Sequence, residues 1–404
     1  MFYQAFQNQS DFMGPWRMSA AAGLNYLGML PGGLSQKMFG RLGAALELVT
    51  RARLTYSRPS YGIDTVQTGN DVATVTEEVA FATPFGSLLH FKKDRGAGQP
   101  KVLLVAPMSG HFATLLRNTV KTLLQDHDVY ITDWHNPRNI PLSYGRFGLD
   151  DYVEHLITFM DKLGPRSHMV AICQPSVPAL AAAALMSEDS HPASPASLTL
   201  MAGPIDTRIS PTKVNEYAKS KPIEWFESNL INYVPVQCKG AMRQVYPGFV
   251  QLLAFVSMNL ERHIKAHMDL ADHLAKGETE KADTIKTFYD EYFAVMDLPA
   301  EFYIETVRDV FQEHLLPQGK LTYRGRAVNP KAVRRMGLMT VEGEKDDICA
   351  IGQTLAAQDL CTGVRAYRKV HHMQAGVGHY GVFSGKKWNG EIYPLLRDFI
   401  HVNS

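Results

Sequence analysis

At 404 residues, with 41 Lys and Arg against 40 Asp and Glu, the chain carries a formal charge of +1 at pH 7. That balance excludes the broad basic footprint of a nucleic-acid binder, and the pair Arg334-Arg335 is too small to supply one. A hydrophobic content of 45% and a charged content of 20% suit one large α/β domain with an insertion, or two domains.

Residues 1 to about 55 read as helical, broken at Gly14-Pro15 and at Pro31-Gly32-Gly33. The opening residues 1–6 lack the basic n-region and apolar core of a secretory signal. Phe2, Tyr3, Phe6, Phe12, Met13, Trp16 and Met18 make this end unusually aromatic. Helices packed on the body of the fold explain such residues, as does an amphipathic surface that meets a hydrophobic particle or partner. Strand signals begin near Val72, where Val75, Glu77, Val79 and Phe81 alternate, and continue in Ser87-Leu88-Leu89-His90-Phe91.

From Gln99 the rhythm becomes strand, loop, helix. Val102-Leu103-Leu104-Val105, Val129-Tyr130-Ile131-Thr132, Val170 to Cys173 and Ser197 to Met201 read as buried strands. Helices are expected through Arg117 and Leu124, over 151–163 with Asp150 as N-cap, and in the alanine-rich run after Cys173. Such alternation predicts a mainly parallel sheet covered on both faces. From Pro204 to about Pro330 it stops, and successive helices rich in aromatic residues are expected, among them Trp225, Phe226, Phe255, Met258, Phe288, Tyr292 and Phe311. The sheet resumes with Gly337 to Val341 and Gly363 to Val370, and a last helix covers 388–401. The predicted organisation is a helical segment (1–55), a first core part (56–203), a helical cap insertion (204–330) and a second core part (331–404). No apolar run approaches the ~20 residues that cross a bilayer.

Chemistry centres on the turn between a strand and the alanine-rich helix. Cys173 takes the place of the reactive residue in the nucleophile elbow of α/β hydrolases, although Ala171 and Pro175 stand where the G-x-S-x-G form has glycines. A buried structural cysteine is the competing reading. In this fold the nucleophile is followed in the chain by an acid and then a histidine. Asp346, in Glu342-Gly343-Glu344-Lys345-Asp346-Asp347, and His379, in Gly378-His379-Tyr380-Gly381, both follow strands. His379 would take the thiol proton and Asp346 would orient the imidazole. Asp347 and Asp206 compete as the acid, whereas His371 and His372 suit a surface or pocket-lining role. Ser176 falls within the helix after the elbow, and Cys238, Cys349 and Cys361 read as structural. The oxyanion hole needs two backbone N–H donors: Gln174 after the nucleophile, and Met108, with Ser109 close behind, in the loop after the 102–105 strand. No zinc spacing or P-loop is present, and the four scattered cysteines predict reduced thiols in a cytoplasmic protein.

Several stretches resemble the intracellular poly(3-hydroxybutyrate) depolymerases: Cys173-Gln174-Pro175, Ala106-Pro107-Met108-Ser109-Gly110-His111, Gly343-Glu344-Lys345-Asp346-Asp347-Ile348 and Gly378-His379-Tyr380-Gly381-Val382-Phe383. A further stretch, Asp133-Trp134-His135-Asn136-Pro137-Arg138 with Gly145-Arg146-Phe147, resembles both this family and the polyhydroxyalkanoate synthases. The resemblance implies an α/β-hydrolase fold, a triad of Cys173, Asp346 and His379, no cofactor or metal, and hydrolysis of amorphous polyester. The products would be 3-hydroxybutyrate oligomers or monomers, formed at the surface of cytoplasmic storage granules. A synthase-like acyltransferase, a small-ester hydrolase or thioesterase, and a non-catalytic granule-coat protein are the rival readings. Oligomerisation of identical chains stays open.

Overall fold

In the computed structural model, which describes residues 2–29, 32–96, 98–258 and 260–404, a nine-stranded sheet runs through the molecule. For residues 32–38, 255 and 258 the backbone alone is described, so the expected roles of Pro31 and of the Phe255 and Met258 side chains lie outside the described residues. The strands are β1 (Thr65–Thr68), β2 (Asp71–Ala82), β3 (Gly86–Lys93), β4 (Lys101–Val105), β5 (Asp128–Trp134), β6 (His168–Ile172), β7 (Ser197–Met201), β8 (Gly337–Gly343) and β9 (Lys369–Gln374). Their order is β1-β2-β3-β5-β4-β6-β7-β8-β9. The first three are antiparallel and lead into β5, and from β5 to β9 every neighbour is parallel.

Strands buried on both faces explain the continuous apolar runs. Leu103, Val105, Met169, Ala171, Leu198 and Leu200 point to one face, against helices Leu149–Leu163 and Ser176–Glu188. Val102, Leu104, Val170, Ile172, Met339 and Val341 point to the other, against helices Arg117–Leu123 and Tyr393–Val402. The alanine run lets Ser176–Glu188 lie entirely inside the protein: every residue from Ser176 to Met186 is buried. With antiparallel leading strands, a parallel remainder and a sharp strand-to-helix turn after β6, this is the α/β-hydrolase architecture. Strand order reverses between β4 and β6, and open α/β sheets hold their ligands at such a point, beyond the carboxyl ends of the strands.

Three local expectations need correction. The insertion between β7 and β8 is not wholly helical. It holds a three-stranded antiparallel sheet of Asn232–Tyr233, Gln244–Tyr246 and Leu298–Pro299, elements too short to leave a period in the sequence. The helix after β5 begins at Leu149, and Asp150 is not its N-cap. Asp151 accepts the Gly148 N–H at 2.8 Å, and Asp150 accepts the Arg324 N–H at 2.9 Å. The strand expected over 363–370 is Lys369–Gln374 instead. A Cβ at Gly363 would fall 2.4 Å from the Lys331 carbonyl oxygen, so the chain there is a close-packed turn, and His371 and His372 lie within the edge strand. The last helical stretch opens with a π turn, Trp388–Ile392.

The N-terminal aromatics are partly interior and partly exposed. Phe6 stacks on Phe249 at 3.9 Å, and Tyr3 is fully buried, its hydroxyl donating to Asp297 Oδ2 at 2.7 Å while Arg138 donates to Tyr3. Burial pushes the Asp297 carboxyl up to about 6. Phe12, Trp16 and Met18 are exposed.

Candidate active site

Strand β6 ends at Ile172, and the chain turns at Cys173 with φ 67°, a left-handed conformation that a residue with a Cβ adopts at a cost of roughly 1–2 kcal/mol. Two backbone bonds hold the turn: the Cys173 N–H reaches the Met201 carbonyl at 2.7 Å, and the Ser176 N–H reaches the Cys173 carbonyl at 3.1 Å. Pro175 stands at the N-cap and Pro178 in the first turn, where a missing N–H leaves no intrahelical bond unmade. Cys173 is only partly buried.

Close beside the turn passes Gly203, just after β7. A Cβ there would lie 1.9 Å from Ser176 Oγ and 3.2 Å from the Cys173 carbonyl oxygen. Ser176 is fully buried under the turn and its hydroxyl has no partner among the described residues, so it is not placed to attack a substrate.

Beyond β8 and β9 stand the acid and the histidine. His379 Nδ1 lies 2.7 Å from Asp346 Oδ2, both side chains being buried. The other Asp346 oxygen accepts the N–H groups of Ile348 at 2.9 Å and Cys349 at 2.8 Å, which fixes the carboxylate. Burial works against a charged His379. The Cys173 sulfur and the hydrogen bonds to Asp346 and Cys173 outweigh it, and the imidazole is held well above its ordinary range. Asp346 and His379 thus form a hydrogen-bonded pair, and the Cys173 sulfur lies within electrostatic reach of the imidazole.

The competing residues are occupied elsewhere. Asp347 is exposed. Asp206 takes two bonds from the Arg208 guanidinium, at 2.8 and 2.7 Å. His371 meets Thr340 Oγ1 at 2.9 Å, and His372 meets Gln374. Burial pushes the Cys361 thiol up to about 12 and also raises Cys349 and Cys238, which suits structural thiols.

The loop after β4 comes to the same turn. Its Met108 N–H points to Gln174 Oε1 at 3.4 Å, a long contact that an incoming oxygen displaces readily. Gln251, on the insertion's helix Gly248–Met258, donates to the Ser109 carbonyl, and the Met296 N–H donates to Gly110 O at 2.8 Å. The insertion thus braces the loop that carries Met108.

Sequence reasoning missed Glu342 and Thr354. Glu342 is fully buried at the end of β8, and its Oε1 accepts the N–H groups of Gly352, Thr354 and Leu355 at 2.8–3.0 Å. Thr354 Oγ1 then accepts the Gly203 N–H at 2.8 Å and donates to the Gly203 carbonyl at 3.0 Å. This chain of bonds ties the acid's loop to the cysteine's turn. Nothing in the sequence beyond a glutamate in an apolar strand signals it.

Residues 202–404, half of the chain, match the family model described as PHB de-polymerase C-terminus. The chain belongs to that family. The match takes in Asp346 and His379, while Cys173 precedes it. Across 370 residues this depolymerase-family chain is also 22% identical to the poly(3-hydroxyalkanoate) polymerase subunit PhaC of Haloferax mediterranei, covering 85% of this chain and 67% of that protein. Among solved structures it resembles a monoglyceride lipase from Saccharomyces cerevisiae (TM-score 0.49, 8% identity, 83% of this chain and 98% of that one). It also resembles a 2-hydroxy-6-oxo-6-phenylhexa-2,4-dienoate hydrolase from Rhodococcus (TM-score 0.45, 12% identity, 81% and 99%). No helix among the described residues is long and apolar enough to cross a membrane, and no group of three or more His, Cys, Asp or Glu among them is arranged to hold a metal ion.

Proposed function

We propose that the protein hydrolyses ester bonds of amorphous poly(3-hydroxybutyrate) at the surface of cytoplasmic storage granules. The observation that carries this reading is the hydrogen-bonded pair of Asp346 and His379 beside the strained Cys173 turn, in a member of a depolymerase family.

In the proposed reaction the Cys173 thiolate attacks an ester carbonyl carbon, and the oxyanion forms bonds with the N–H groups of Gln174 and Met108, with Ser109 beside them. Collapse of the tetrahedral intermediate breaks the C–O bond, and the imidazolium of His379 gives its proton to the departing alkoxide. His379 then takes a proton from water, whose oxygen attacks the thioester. The acid product leaves, and the thiolate and imidazolium are restored. Asp346 keeps the Nδ1 proton in place throughout.

An uncharged polyester is recognised by apolar contact rather than by ion pairs, and the exposed Phe12, Trp16 and Met18 offer such contact. Removing residues 1–20 is a poor test of this, because Tyr3 is part of the protein's interior; Phe12→Ser with Trp16→Ser tests the surface alone. A second reading, acyl transfer onto a growing polymer, is favoured by the likeness to the polymerase subunit and differs only in the acyl acceptor.

The deciding experiment gives wild type and Cys173→Ala amorphous polyester granules, and separately 3-hydroxybutyryl-coenzyme A. Clearing with release of 3-hydroxybutyrate, absent in Cys173→Ala, is the expected result. Polymer growth from the thioester without clearing makes the second reading the correct one. Cleavage of short p-nitrophenyl esters alone removes the polymer from the reading.

A further inference from the structure

Between helices Phe2–Phe12 and Gly14–Gly28 and the segment 52–54 lies an apolar groove of about 300 Å³, none of whose lining residues belongs to the Cys173 turn. Phe6, Met13, Leu54 and Phe293 supply its apolar surface, and Arg17 and Arg53 also line it. The stacking of Phe6 on Phe249 fixes one wall.

The two arginines are out of keeping with such a place. Arg51, two residues from Arg53, is paired with Glu47 and Asp290. Among the described residues Arg17 and Arg53 have no ion pair. Arg17 donates Nη1 to the Ala52 carbonyl at 3.4 Å and Nη2 to the Ser10 carbonyl. Both acceptors are neutral, so the guanidinium keeps its full charge and three of its five N–H donors. The acid next to Ser10, Asp11, accepts from Gln7 instead, at 2.7 Å. An apolar groove with two uncompensated guanidiniums complements a molecule with an apolar body and one carboxylate, the anion that arginine holds best.

We infer that this groove binds the carboxylate end of a short 3-hydroxyalkanoate oligomer. The inference rests on the proposed function, whose products have this chemistry: methyl-bearing units joined by esters and ending in a carboxylate. The groove's size, at the lower end of small-molecule sites, suits a few such units rather than a long fatty chain. Gln9 and Ser10, also at the groove, are polar partners for ester oxygens that a hydrocarbon tail would leave idle. Beside the exposed Phe12 and Trp16, the groove would hold the protein to acid ends at the polymer surface.

The test uses full-length Cys173→Ala, which does not turn over the ligand, with Trp16 fluorescence and titration calorimetry. Ligands are the linear 3-hydroxybutyrate trimer acid, its methyl ester and decanoate. The acid should bind saturably and at least tenfold more tightly than either of the others, and Arg17→Gln with Arg53→Gln should remove that tenfold preference. Equal binding of acid and ester, decanoate as tight as the trimer, or a preference that survives in the arginine variant would each overturn the inference. If the arginine variant does not fold, the comparison of acid with ester on Cys173→Ala decides alone. Granule clearing by wild type is measured in parallel: clearing without acid-selective binding overturns the groove and leaves the function standing, whereas absence of clearing overturns the function.

Discussion

Asp346 and His379 meet at 2.7 Å inside the protein, and the same carboxylate is gripped from its other side by the N–H groups of Ile348 and Cys349. An acid anchored in this way has one geometry, and it presents that geometry to the imidazole before any substrate arrives.

Replacing it with an amide keeps the shape and spoils the proton. Asp346→Asn should lower kcat on the order of 10⁴-fold, the effect of losing the orienting carboxylate in comparable triads, with little change in KM. Asp347→Asn, at an exposed neighbour, should stay within about twofold. Hydrolysis of a soluble p-nitrophenyl ester by the two variants checks both expectations, and the reverse ranking would move the acid to Asp347.

The raised pKa of His379 has a pH signature. Its folded value lies well above the unfolded 6.5, so the stabilisation it brings is complete below about pH 6.5 and fades as pH climbs through the folded value. Urea midpoints of wild type and His379→Asn, measured from pH 6 to pH 10, should converge toward the alkaline end. The imidazole also acts on the Cys173 sulfur, and thiol reactivity at pH 7 reads that pairing. Alkylation by iodoacetamide there should slow at least tenfold in His379→Asn.

The positive φ of Cys173 predicts an inverted order of stability. Cys173→Gly and Cys173→Ala both delete the thiol, but only glycine takes the left-handed conformation without strain. The glycine variant should be the more stable by about 1 kcal/mol, opposite to the order found in an ordinary helix or strand. Denaturant unfolding of the two inactive variants measures it.

Gly203 makes a packing prediction. A methyl group there would meet Ser176 Oγ at 1.9 Å and Ser176 Cβ at 2.2 Å, so Gly203→Ala should cost about 1–3 kcal/mol and lower activity by displacing the turn. Adding Ser176→Gly removes both offending atoms and should recover most of the stability. Equal losses in the single and double variants would mean that the strain lies elsewhere.

The parts legible in the sequence were those with a local cause. Consecutive apolar residues in β4, β6 and β7 announce strands buried on both faces, and the small residues after Cys173 announce a helix against the sheet. Strand ends at Asp346 and His379 put both residues on the same rim. What escaped depends on distant partners. Glu342 acts through a turn ten or more residues away, the strands Asn232–Tyr233 and Leu298–Pro299 exist only through their pairing, and Gly363 is fixed by the carbonyls of Lys331 and Val333. Composition likewise does not tell the buried Tyr3 from the exposed Trp16, because both sit in aromatic-rich helices and only one faces Asp297.

The bond from Tyr3 to Asp297 spans 294 residues of chain, and this sets an order of events during synthesis. The helix Phe2–Phe12 leaves the ribosome well before Asp297, its anchor, is made. At about 5–20 residues per second the helix waits roughly 15–60 s with Phe2, Phe6 and Phe12 uncovered. This helix is thus secured long after it emerges, and its aromatic face is what a chaperone would meet on the nascent chain.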